Sequence, residues 1–243
     1  MTVEKIGYRV DGRNFIGTLV YDEQTSGNLP LMLVAPNWLG VTQDAIARTQ
    51  KMAGRTHVGF VVDMYGEGKV SAGPPEAAQL ANALRADPKE RRLRMMAALS
   101  AFVAESERRG IGDASRKSAV GFCFGGGNVL ELARAGADLQ AAICLHGDLT
   151  TTLPAKPGEI RAALLVAHGA ADPVAPKAHR DAFEAEMEAA QANWRMLTFG
   201  GLLHSFCESE SHVPGVAKYN APAARQCFRL IEEFVADAFA GQL

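Results

Sequence analysis

Gly121-Phe122-Cys123-Phe124-Gly125 sets a thiol between glycines two residues to either side. The stretch follows a short apolar run, Ser118–Phe122, and leads into a segment of helical period, Gly126–Ala135. This is the pattern of a nucleophile elbow with cysteine in the place of serine. The residue on such a turn is strained, and small residues around it let strand and helix pass closely. At a helix N-terminus the dipole and the backbone amides favour a thiolate. With 24 glycines and 4 cysteines in 243 residues, the pattern arises by chance about 0.04 times per chain. The rival reading is a buried cysteine in a glycine-rich turn.

A cysteine nucleophile needs a base, and the base needs an orienting carboxylate. In this kind of sheet they follow in the order nucleophile, acid, histidine. Ala167-His168-Gly169-Ala170-Ala171-Asp172-Pro173 ends an apolar run in a glycine-containing turn, which makes Asp172 the candidate acid. Its alternative role is a turn aspartate before Pro173, and Asp148 is the reserve. Of the later histidines, His179 falls inside a helix and His212 in a polar stretch. His204 lies in the loop between the last strand and the last helix, where the base belongs. His146 and His168, at strand ends before glycine, read as structural. The oxyanion would be held by the Phe124 amide and by one amide of Pro36-Asn37-Trp38-Leu39-Gly40, taken as that of Trp38. The Trp38 ring could equally be a pocket wall. Asn37, Tyr65 and Phe206 are candidate substrate contacts by loop position.

The elements that must position these groups alternate. Ile6, Tyr8 and Val10, the Asp11-Gly12 turn and Phe15 to Tyr21 predict an N-terminal hairpin. Apolar runs then occur at Leu31–Ala35, Val58–Val62, Ser118–Phe122, Ala141–Leu145, Ala162–Ala167 and Arg195–Phe199. Such runs are buried on both faces, as in a parallel sheet covered by helices. Helices are predicted at Asp44–Arg55, Glu76–Arg85, Lys89–Arg109, Gly126–Ala135, Lys177–Ala190 and Ala221–Phe239. The charge runs Lys89–Arg94 and Glu184–Glu188 read as solvated helix faces. The result is an α/β fold, residues 1–243 as one domain, with chemistry on the rim after the strands.

Composition narrows the function classes. Twenty-five basic against 27 acidic residues give a net charge of −2, so no basic face for nucleic acid is expected. No apolar run approaches the ~18 residues of a membrane span, and the N-terminus lacks a signal-like apolar core. Four dispersed cysteines without C-x-x-C argue for reduced thiols and a cytoplasmic protein. His204-x-x-Cys207 with His212 lacks a second ligand pair, so no metal is expected. Gly66-Glu67-Gly68-Lys69-Val70 and Gly125-Gly126-Gly127 both break the nucleotide-loop patterns.

Taken together, Gly-Phe-Cys-Phe-Gly-Gly-Gly at 121–127, Asp63-Met64-Tyr65-Gly66, His168-Gly169 leading to Asp172, and His204-Ser205-Phe206 resemble the dienelactone hydrolase family of the α/β-hydrolase superfamily. The resemblance covers nearly the whole chain. It implies an α/β-hydrolase fold, a Cys123–His204–Asp172 triad, and hydrolysis of a small ester or lactone without metal or organic cofactor. Two positions depart from the family. Asn37 stands where the family has a glutamate that helps activate the cysteine. Glu208 stands where the family has an arginine for the substrate carboxylate, and would repel an anion. Arg85, Arg91 and Arg92 are the candidates to compensate. The alternatives are an esterase or thioesterase for neutral acyl substrates, a ligand-binding protein on the same scaffold, and a redox protein pairing Cys123 with Cys207. Oligomeric state is left open by the sequence.

Overall fold

The computed structural model describes residues 1–24 and 27–243. Eight strands belong to one mostly parallel sheet, and the chain packs as two compact units, Met1–Ala119 and Val120–Leu243. Among the described residues, no helix is long and apolar enough to cross a membrane.

In the first unit, β1 (Thr2–Val10) and β2 (Arg13–Tyr21) form the expected antiparallel hairpin. Asp11 and Gly12 both have positive φ, 46° and 76°, as the strand twist requires of a two-residue turn. Strand β3 (Leu29–Ala35) leads to α1 (Gln43–Ala53), whose Thr42 cap accepts from the Ala45 amide. Next come β4 (Val58–Val61), α2 (Pro74–Arg85) and α3 (Pro88–Arg109). The order is β1-β2-β4-β3, with β2 antiparallel and β3 parallel to β4. Asp87 caps α3 through the Glu90 amide, and Gly110 ends it at φ 65°.

Helix α3 corrects the expectation that Lys89–Arg94 is a solvated face, because Arg91 and Arg94 are buried. Arg94 lies over the Phe15 ring, pairs with Glu90 at 2.6 Å and donates to the Met64 carbonyl at 2.6 Å. A long apolar stem and a head partnered by a carboxylate and a carbonyl let arginine enter a core that its charge alone would forbid.

Strand β5 (Gly112–Phe122) begins six residues before the expected Ser118. Its early part, Gly-Asp-Ala-Ser-Arg-Lys, carries no apolar signal. The second unit continues with α4 (Phe124–Arg134), β6 (Ala141–Leu145), β7 (Ala163–Gly169), α5 (Lys177–Ala189) and β8 (Trp194–Phe199). Strands β6, β7 and β8 are mutually parallel. Buried throughout, β6 and β7 match the two-face burial expected of them, whereas β8 exposes Arg195 and Thr198. It closes the sheet, and an edge strand tolerates charge that an inner strand does not. A two-residue hairpin that the sequence does not announce, β9 (His212–Val213) and β10 (Ala217–Lys218), precedes α6 (Ala221–Phe239).

Candidate active site

The elbow is built by glycine. A Cβ on Gly121 would stand 2.1 Å from the Gly125 carbonyl oxygen, and one on Gly126 would stand 2.9 Å from Cys144 Sγ. Both distances lie inside contact range, so only glycine lets the end of β5 turn into α4 here. Cys123 caps that helix with φ 52° and ψ −121°, a left-handed backbone costing of order 1–3 kcal/mol for a non-glycine residue. Its N–H donates to the Leu145 carbonyl at 3.0 Å and to His146 Nδ1 at 3.2 Å. Phe124 opens α4, where backbone amides point outward along the helix axis.

Sγ of Cys123 lies 3.0 Å from Nε2 of His204, and His204 Nδ1 lies 2.8 Å from Asp172 Oδ2. The three residues are buried, at 7%, 5% and 2% exposure. Backbone bonds hold each partner. His204 N–H donates to Val216 O and His204 O accepts from Lys218 N–H, both at 3.1 Å, so the unexpected β9–β10 hairpin grips the histidine on both sides. Oδ1 of Asp172 accepts the Val174 and Ala175 amides at 2.8 and 3.2 Å, leaving Oδ2 for the imidazole. His168 tightens the same turn by donating from Nε2 to Ala175 O at 2.8 Å.

The electrostatics follow from these contacts. Burial alone would lower the affinity of His204 for a proton. The charge of an ionised Cys123 and the bonds to Asp172 and Cys123 outweigh burial and hold the ring well above its ordinary 6.5. For Asp172 burial works upward, but the His204 hydrogen bond and charge, with the two amides, bring it below its ordinary value. His168 is lowered, first by burial, and so is the neutral ring beside Asp172. Held between Cys123 Sγ and the Asp172 carboxylate, the His204 ring is disposed to carry a proton.

The remaining residues singled out in the sequence fall into two groups. Phe206, in the second unit, is fully buried and packs its ring against His146 and Phe199, at 5.3 and 5.1 Å between centroids. Asn37, Trp38 and Tyr65 lie together in the first unit. Asn37 Oδ1 accepts the Leu39 amide at 3.0 Å, and Tyr65 OH donates to the Trp38 carbonyl at 2.8 Å, which fixes this turn. Glu208, placed in the sequence by its departure from the family, is buried at 1% exposure, with Oε1 4.0 Å from His146 Nδ1. His146, which reads as structural in the sequence, follows the end of β6 on the rim where chemistry is expected, and its Nδ1 accepts the Cys123 amide.

The fold is that of the α/β hydrolases. Residues 16–239 match the dienelactone hydrolase family, and the chain belongs to that family. Among solved structures it is similar to one described as m3DLH, with 31% identity, 98% of each chain covered and a TM-score of 0.89. It is also similar to the dienelactone hydrolase-like promiscuous phosphotriesterase P91 from metagenomic libraries, again with 31% identity and 98% of each chain, at a TM-score of 0.87. An uncharacterized Caenorhabditis elegans protein, K02A2.1, is 35% identical over 133 residues, which span 53% of this chain and 84% of the relative.

Proposed function

We propose that the chain is a cysteine-dependent hydrolase of small esters and lactones, with Cys123 as nucleophile, His204 as acid and base, and Asp172 as the carboxylate orienting His204. The observation that carries this reading is the unbroken line from Sγ through the imidazole to Oδ2, at 3.0 and 2.8 Å, on a strained elbow. His204 holds the thiol proton while Sγ bonds to the carbonyl carbon. The carbonyl π electrons move to oxygen, where the Phe124 amide stabilises the charge. Collapse expels the alkoxide, which takes the proton from His204 and leaves an acyl-thioester. Water then gives a proton to His204 and attacks the same carbon, and the thiolate leaves with the carboxylic acid as product.

A specific observation favours neutral substrates over dienelactone itself. Glu208, not arginine, stands four residues after His204, at the position that serves a substrate carboxylate in the family, so that position supplies no cation for an anionic substrate. A similar structure is described as a promiscuous phosphotriesterase, and phosphotriesters are uncharged esters.

The test compares hydrolysis of dienelactone with that of a p-nitrophenyl ester, using Cys123→Ala and His204→Ala as controls. Loss of about 10³-fold or more in kcat for both variants is expected, with the neutral ester preferred. Full turnover in Cys123→Ala would refute the assignment, and preferred turnover of dienelactone would refute the neutral-substrate reading.

A further inference from the structure

Six non-glycine residues among those described have positive φ, and three of them, Cys123, His146 and Ser205, lie in the segments that meet at His204. Asp11, the turn residue of the first hairpin, shows the ordinary cause of such a backbone. His146 is different: it is completely buried at φ 40°, and left-handed backbone of this kind persists only where its surroundings over-determine it. Those surroundings are the reacting groups. Nδ1 accepts the Cys123 amide at 3.2 Å, which puts the ring proton on Nε2. The same ring meets His204 edge to face, with centroids 5.5 Å apart and planes at 70°. Phe206 closes the other contact, at 5.3 Å and 71°. His146 N–H donates to Ala167 O at 2.8 Å, so the backbone that carries the ring is tied to β7.

We infer that His146 is a positioning residue for the reaction, fixing the Cys123 peptide through Nδ1 and the plane of His204 through its ring edge. The inference rests on the hydrolase reading above and deepens it. Sγ and Nε2 must align for proton transfer, and one imidazole touches the main chain of the nucleophile and the side chain of the base. A displacement of about 1 Å at such a site costs about 100-fold in rate. Phe206 thereby acts as a brace for His146.

The experiment measures kcat, KM, thermal midpoint and the low-field Nδ1–H proton resonance of His204 in His146→Phe and His146→Asn. Phenylalanine fills the space but accepts no hydrogen bond, whereas the Asn Oδ1 can stand where Nδ1 stands. The expected result for His146→Phe is a kcat about 100-fold lower, with KM within about threefold and a displaced or broadened His204 resonance. His146→Asn is expected to recover to within about tenfold of the wild type. Should His146→Phe fail to fold, His146→Met takes its place. A wild-type kcat in the folded Phe or Met variant would show that the ring merely fills space and would overturn the inference. So would a folded His146→Asn no faster than those variants. Ester turnover by the wild type and its loss in Cys123→Ala are established first. An inactive wild type removes the hydrolase reading and this inference with it, whereas an active wild type with an unaffected His146→Phe removes this inference alone.

Discussion

Two buried aspartates, one in each unit, have the same chemistry and different partners. Asp63, just beyond β4, is completely buried. Its Oδ1 accepts the Tyr65 and Gly66 amides, both at 2.9 Å, and its Oδ2 accepts Ile16 N–H at 2.9 Å and Gly68 N–H at 2.7 Å. Asp172, just beyond β7, spends one oxygen on two amides and offers the other to His204. Four fixed backbone donors make Asp63 a knot that ties a turn to the β1–β2 hairpin. One titratable donor, His204, is what the proposed function uses in making Asp172 its orienting carboxylate. On that reading the number of backbone amides on each carboxylate separates a folding role from a chemical one.

Exchange of each carboxylate for its amide gives the largest test of this contrast. Asp172→Asn keeps the shape but leaves His204 without an anion, and kcat is expected to fall about 10³- to 10⁴-fold, with a thermal midpoint within a few degrees. Asp63→Asn turns one acceptor oxygen into an amide that faces backbone N–H groups. Charge-assisted bonds contribute about 1.5–3 kcal/mol each, so the loss in urea titration should be about 3 kcal/mol or more. Turnover per folded molecule should be retained. If Asp63→Asn abolishes turnover without lowering stability, the contrast is wrong.

A charge within the second unit sharpens the point. Arg134 is 1% exposed and donates to Glu186 Oε1 and Oε2 at 2.8 and 2.7 Å, to Glu131 at 3.1 Å and to the Leu149 carbonyl at 2.8 Å. It fastens α4 to α5 and to the loop after β6, so one member of the Glu184–Glu188 run is an anchor and not a solvated charge. Arg134→Met should cost about 3–5 kcal/mol, because it leaves carboxylates buried without their counter-charge. The double variant Arg134→Met with Glu186→Leu should recover part of that loss in the same titration. Equal stability of the single and double variants would mean that Glu186 finds another partner.

These contacts also mark the limits of what is legible in the sequence. Apolar runs located β6 to the residue, and the elbow spacing with the order acid then histidine singled out the three residues that the structure brings into line. Local pattern suffices there because burial on both faces and a tight glycine turn leave their mark residue by residue. Long-range partners leave none. Nothing near Arg91 and Arg94 in sequence says that an aromatic ring and a carbonyl await Arg94. Gly112 to Lys117 lack the apolar signal of a strand, and β9 and β10 are strands of two residues each, held to His204 by its bonds to Val216 and Lys218. His146 reads as an ordinary strand end until its ring is seen between His204 and Phe206.

The smallest effect concerns protons, and here His204 differs in sign from the buried histidines His57 and His168. His57, in the first unit, is brought down to about 4, first by burial and then by Arg116. A depressed histidine stabilises the fold above its unfolded value of about 6.5, and that contribution is lost as pH falls toward 4. His168 acts in the same direction from the second unit. His204, raised well above 6.5, does the reverse: its contribution is complete below about 6.5 and is lost as pH rises through the folded value. Stability measured by urea titration from pH 4 to 9 should therefore fall at both ends. His57→Asn should lessen only the acid decline, since His168 still contributes to it. His204→Gln should remove the alkaline decline and leave the acid one in place. An unchanged alkaline limb in His204→Gln would mean that the charge between Cys123 and Asp172 does not reside on this ring.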